Sequence, residues 1–213
     1  MPKKNDREYR SMMLAIETRT EGGEEPEKEE RTVSGYASTF EQPYTLYSDE
    51  YMTFREVVDP SAFDNTDMSD VIMQYDHKGR VIARTSNNTL EVTPDEQGLF
   101  IRADLSGTEL GRELYEEIRG GYTDKMSFGF TIDRTEETRT DLEDGKIDIL
   151  RRILGVSKLY DVSAVSIPAN GATSISVETR SQIDGVIEAA RAERLRRAKL
   201  ELKKQILKSE VKS

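Results

Sequence analysis

Apolar and polar positions alternate with short periods over residues 31–179, and the pattern predicts mostly strands with one strong helix among them. Residues 31–40 (RTVSGYASTF) set Val33, Gly35, Ala37 and Thr39 against Tyr36 and Phe40, a strand with a small-residue face. Residues 54–58 and 70–75 read as strands, the second delivering Asp76 and His77 at its end before a turn at Gly79 and a resumed strand over 81–83. Residues 59–63 (DPSAF) look like a capped helical turn. Segments 90–93 and 99–105 form a hairpin around the turn at 94–98. Helical spacing covers 108–119, with Thr108 as N-cap, Leu110, Leu114 and Ile118 in one stripe, and Gly120 and Gly121 ending it. A strand over 125–132 follows, then a charged loop over 135–146. Residues 147–167 give one or two strands with a break near Gly155, and a turn at 168–171 precedes a last strand over 174–179.

Two flanks differ from this body. Residues 1–13 are polar, 14–18 could form a first strand, and 21–30 (EGGEEPEKEE) are an acidic run, so 1–30 is expected to be a flexible segment. From residue 181 the apolar positions Ile183, Ile187, Ala190, Leu195, Ala198, Leu202 and Ile206 recur near every 3.6 residues. That segment, 181–213, carries nine Lys/Arg against five Asp/Glu, and reads as a basic amphipathic helix that packs on the body or docks on an assembly partner. The expected fold class is α+β: a mostly antiparallel β domain over 31–179 with flanking helices.

Composition narrows the chemistry. No apolar run approaches the ~20 residues a membrane helix needs, so no membrane association is expected. The first residues carry lysines without an apolar stretch behind them, which is not a secretory signal. A net charge of -10 argues against nucleic-acid partners, whose phosphates call for Lys and Arg. Cysteine is absent and there is one histidine, His77, so thiolate nucleophiles and multi-His metal sites are excluded. No cofactor and no metal are expected, and any imidazole base has to be His77.

Three strand-borne side chains carry candidate chemistry. Ser127 stands within the apolar run 126–130 (MSFGF), His77 leaves the end of a strand, and Asp161 sits in an otherwise apolar strand, where an unpaired carboxylate is costly. A serine attacks a carbonyl only when a base takes its proton, and a third group fixes that base. Strands lie about 4.8 Å apart, so three of them can bring such groups together. Each residue also has a structural reading: a hydrogen-bonded core serine, a solvated turn imidazole, and a carboxylate paired with Lys158 or Arg151.

Several stretches in order carry a resemblance: 35–40 (GYASTF), 56–63 (EVVDPSAF), 75–77 (YDH) before Gly79 and Arg80, Gly98 with Leu99, the helix ending at Gly120, 126–130 (MSFGF), and 159–170 (LYDVSAVSIPAN). Together they cover about residues 31–177, and the chain resembles the tailed-bacteriophage prohead (capsid maturation) serine proteases, a family similar in fold to herpesvirus assemblin. The resemblance implies an assemblin-like β-barrel with Ser127 as nucleophile and His77 as general base. It implies Asp161 as the third member, where many relatives carry Glu. Backbone N–H groups of Ala169 and Asn170 are the expected oxyanion donors. The implied function is a serine endopeptidase that processes scaffold, or scaffold-like parts of the major capsid protein, inside the immature capsid in the host cytoplasm, and that cleaves itself. A homodimer is expected from the assemblin likeness. The alternative is a non-enzymatic capsid scaffold or assembly protein.

Overall fold

A computed structural model describes residues 7–12, 16–19, 31–142, 146–166 and 177–210. The longest hairpin of the fold is formed by β10 (Lys125–Asp141) and β11 (Ile147–Val165), paired antiparallel along their whole length with register shifts between Gly129 and Thr135. β1 (Glu8–Met12) pairs antiparallel with the outer edge of β10. On its other edge β11 takes two strands in parallel. Its first half pairs with β5 (Met52–Val58), and residues 161–164 pair with β6 (Ile72–Tyr75). β4 (Tyr44–Ser48) joins β5, and β7 (Lys78–Arg84) joins β6, both antiparallel. A second sheet has the order β2 (Ile16–Arg19), β3 (Thr32–Thr39), β9 (Gly98–Asp104), β8 (Leu90–Pro94).

The sheets share one core. Val33, Ala37, Leu99 and Ile101 of the second sheet meet Met126, Phe128, Phe130, Leu159 and Val162 of the first, all fully buried. Burying one such side chain contributes about 1.5–3 kcal/mol, which makes this layer the main source of cohesion. α1 (Glu109–Arg119) adds Leu114, Tyr115 and Ile118. Its N-cap is Thr108, whose hydroxyl accepts from the Gly111 N–H at 2.9 Å. Leu110, expected in the apolar stripe, is exposed; Gly111 is buried instead, and a Cβ there would lie 2.4 Å from the Leu105 carbonyl oxygen.

The expected barrel does not form. Among the described residues there are two open sheets, because β11 spends its second edge on parallel partners and β1 and β4 end the first sheet without meeting. Residues 135–141, expected in a loop, continue β10 as an exposed strand held by the first half of β11. β11 runs through Gly155 without a break; a Cβ there would lie 2.2 Å from Asp133 Oδ1, at one of the register shifts. Within the segment expected to be flexible, β1 and β2 are paired strands. Among the described side chains of β1, Glu8 and Arg10 are buried in charge contacts with Glu56 and Arg151.

α2 (Val177–Glu210) includes residues 177–179, which were expected in a strand. Ile187 and Ala190 pack with Leu46, Met52, Phe54, Ile147 and Ile149. Further along, Leu195, Leu200 and Leu202 are exposed, so only the first part of the apolar stripe packs on the body.

Candidate active site

Period-two geometry decides what β10 offers on each face. Met126, Phe128 and Phe130 point into the core, which turns Ser127 and Gly129 to the opposite face. β11 obeys the same rule in register: Ser163 lies opposite Ser127 and Asp161 opposite Gly129. The glycine two residues after the serine has a steric reason. A Cβ at 129 would lie 2.5 Å from Asp161 Oδ2, closer than any real contact. Gly129 therefore makes room for the carboxylate.

The third side chain arrives from β6. Tyr75 and Lys78 pair, and the two residues between them close a tight hairpin turn. Asp76 and His77 both have positive φ, 47° and 58°, as a two-residue turn of the primed type demands. The expected turn at Gly79 is thus two residues earlier, and Gly79 lies within β7. Asp76 stabilises this unusual backbone: its N–H donates to the Ala164 carbonyl at 3.0 Å, and its carboxylate accepts from the Ser166 N–H at 3.1 Å and hydroxyl at 3.1 Å. The turn is pinned to the end of β11, which aims the imidazole along the sheet face toward β10.

There His77 bridges the other two residues. Its Nε2 lies 2.6 Å from Ser127 Oγ and its Nδ1 lies 2.5 Å from Asp161 Oδ1. A carboxylate only accepts, so this contact puts the ring proton on Nδ1 and leaves the Nε2 lone pair facing the hydroxyl. Asp161 is fully buried and triply held, also accepting from the Ser163 hydroxyl at 2.9 Å and pairing with Arg7. Burial pulls the imidazole from 6.5 down to about 4, with the Arg7 charge adding to the fall and Asp76 opposing it. At neutral pH the ring is therefore uncharged and able to accept a proton. The arrangement can remove a proton from Ser127 Oγ and support the imidazolium that forms.

The structural alternatives for Asp161 are taken up elsewhere. Lys158 pairs with Asp67 at 2.6 Å, and Arg151 pairs with Glu56. Ala169 and Asn170 lie outside the described residues. Sequence reasoning missed Arg7, Tyr9 and Arg10, which touch the three residues, and Glu56, which holds Arg10. A polar segment gives no periodic signal, and the one readable clue was Glu56, a carboxylate within the strand predicted over 54–58.

A family model for the Caudovirus prohead serine protease matches residues 15–185. The chain belongs to this family. It is a serine protease of the capsid maturation type, and the reading as a non-enzymatic assembly module is not retained. Among solved structures it is similar to the capsid assembly protease of bacteriophage T4, with 15% identity and a TM-score of 0.37 over 77% of this chain and 100% of that one. No curated protein matches the chain. Among the described residues no helix is long and apolar enough to cross a membrane.

Proposed function

We propose that Ser127, His77 and Asp161 are the catalytic residues of this protease. The observation that supports this most strongly is the single histidine within hydrogen-bond reach of both the serine and the carboxylate. Ser127 Oγ attacks the scissile carbonyl carbon while His77 Nε2 takes the hydroxyl proton. The tetrahedral adduct collapses to an acyl-enzyme as the imidazolium passes that proton to the leaving amine. A water molecule, deprotonated by the same nitrogen, then attacks the ester, and the carboxylic acid product leaves with Ser127 reprotonated. Asp161 keeps the ring in the Nδ1–H form throughout.

The substrates in this reading are scaffold, or the scaffold-like part of the major capsid protein, within the immature capsid in the host cytoplasm, and the chain itself. Two copies pair, as the assemblin likeness implies, which sedimentation would check. Ser127→Ala tests the assignment. Processing of co-expressed capsid protein and labelling by a fluorophosphonate should both disappear while the fold is kept, and complete processing by that variant would remove Ser127 from the mechanism.

A further inference from the structure

Strand β1 and Arg7 ahead of it together touch every member of the proposed catalytic set. Arg7, just ahead of it, pairs with Asp161; the Tyr9 ring lies edge-on at 4.5 Å from the His77 ring; and Ser127 Oγ is 3.0 Å from the Arg10 carbonyl oxygen. Ser127 is 0% exposed, so no external carbonyl reaches it while β1 is in place. β1 itself is an extended peptide paired with a strand edge, the form in which sheets capture peptide ligands.

The Arg10 side chain enters a buried pocket and pairs there with Glu56. Its Nε donates to Glu56 Oε1 at 2.5 Å and its Nη2 to Oε2 at 3.2 Å, with Phe130 beneath the guanidinium. Glu56 is fully buried and also accepts from the Tyr44 hydroxyl at 2.5 Å and Arg151 Nε at 2.7 Å. The charges divide evenly between strand and body. β1 brings Glu8 and Arg10, and the body holds Glu56 and Arg151. Departure of the strand therefore leaves a neutral pair in this pocket rather than an unpaired buried charge, while Asp161, on losing Arg7, keeps its hydrogen bonds from His77 Nδ1 and the Ser163 hydroxyl.

The contacts also explain why an occupied site would stay idle. The hydroxyl has one proton, for which the Arg10 carbonyl competes with His77 Nε2. Arg7 adds a second demand on Asp161, and its charge disfavours the imidazolium that the reaction must form. We propose, on the reading that Ser127, His77 and Asp161 do the chemistry, that the β10 edge beside Ser127 is the peptide-binding cleft. In this proposal β1 fills the cleft in cis as a substrate-like strand, and Glu56 selects arginine at the residue whose carbonyl meets the hydroxyl.

The test uses the full-length chain and a fluorophosphonate, with labelling at Ser127 followed by intact mass and peptide mapping. The double variant Arg7→Ala/Tyr9→Ala loosens β1 without touching Glu56 or its partners, and should label at least tenfold faster than wild type. A synthetic hexapeptide with the sequence of residues 7–12 should slow that labelling. The same peptide carrying Arg10→Glu should compete at least tenfold more weakly, and Glu56→Gln in the loosened chain should cut the difference below threefold. Should Glu56→Gln fail to fold, the peptide pair alone decides. A labelling rate within twofold of wild type would make β1 an ordinary edge strand, and equal competition by the two peptides would remove the arginine selectivity. Absence of Ser127 labelling in every chain would instead overturn the catalytic reading, and the cleft proposal with it.

Discussion

Gly129→Ala separates the geometry of the site from its chemical inventory, because it leaves all three proposed catalytic side chains in place. The new Cβ would start 2.5 Å from Asp161 Oδ2, 2.8 Å from a Tyr9 ring carbon and 3.0 Å from Arg7 Nε. To regain an ordinary contact of 3.4 Å from 2.5 Å, the carboxylate must retreat by about 0.9 Å. Its bond to His77 Nδ1 is 2.5 Å now and would lengthen by up to that amount, which takes it out of the range of a strong charge-assisted hydrogen bond. A misplacement of about 1 Å costs on the order of 10²-fold in rate. Overpacking costs about 1–3 kcal/mol, against which the reduced freedom of the unfolded chain returns only about 0.4–1 kcal/mol.

The expected outcome is Ser127 labelling by a fluorophosphonate slowed roughly 10²-fold, with urea unfolding showing a loss of about 1–2 kcal/mol. Displacement of Tyr9 and Arg7 by the same methyl group does not rescue the rate, since the clash with Asp161 persists without them. Labelling within twofold of wild type at an unchanged urea midpoint would show that the carboxylate does not govern the base, and the argument for Asp161 would fall.

Other outcomes follow from the same contacts. His77 is held near 4 against an ordinary 6.5, so the unfolded chain binds the extra proton between those values. Its contribution to stability is therefore full above pH 6.5 and declines as pH falls toward 4. The groups facing the ring are Asp161, Arg7, Asp76, Tyr9 and Ser127, and in wild type the acid limb of Ser127 labelling should lie near pH 4; a limb at 6.5 would contradict the buried, Arg7-facing ring. Arg151→Met leaves Glu56 with Arg10 and Tyr44 alone, and breaking such a buried pair should cost about 3–5 kcal/mol in urea unfolding; a loss under about 1 kcal/mol would mean the cluster does not hold β1 and β5 to β11. Asp76→Ala removes the acceptor for Ser166 at a turn with two positive φ angles, and should slow labelling while α1 and the core are kept. Unchanged labelling would show that the turn holds its shape without that anchor.

The parts of this site that the sequence made legible share a physical cause. Thr108 was readable because capping is local, and Ser127 and Asp161 because a polar residue inside an apolar strand contradicts its neighbours. His77 was readable by being alone. What was hidden depends on partners distant in the chain. β1 (EYRSM) has no apolar face to detect; its burial rests on Glu56, 46 residues from Arg10, and on Asp161, 154 residues from Arg7. The exposed half of β10 was hidden for a related reason. Neither of its faces is buried, so no alternation marks residues 133–141, and only the pairing with β11 keeps them extended. The barrel expectation failed because periodicity identifies strands without naming their neighbours, and β11 turned out to take β5 and β6 in parallel.

β11 is the element on which these observations converge. Its length lets one strand serve two environments, the charge cluster at Arg151 and the carboxylate at Asp161, with parallel partners pinning each half. Asp161 and Ser163 are fixed relative to Ser127 by ladder hydrogen bonds rather than by loop conformation, and the His77 turn is tied to the same strand through Ala164 and Ser166. A site built this way gains precision from the sheet and cannot readily be switched by moving its own members. The movable part has to be something laid on top, and β1 fits that requirement. Among the described residues it lies at the edge of the sheet, reaches all three residues together with Arg7, and is bound by a charge cluster around Glu56 that divides into neutral halves when it leaves.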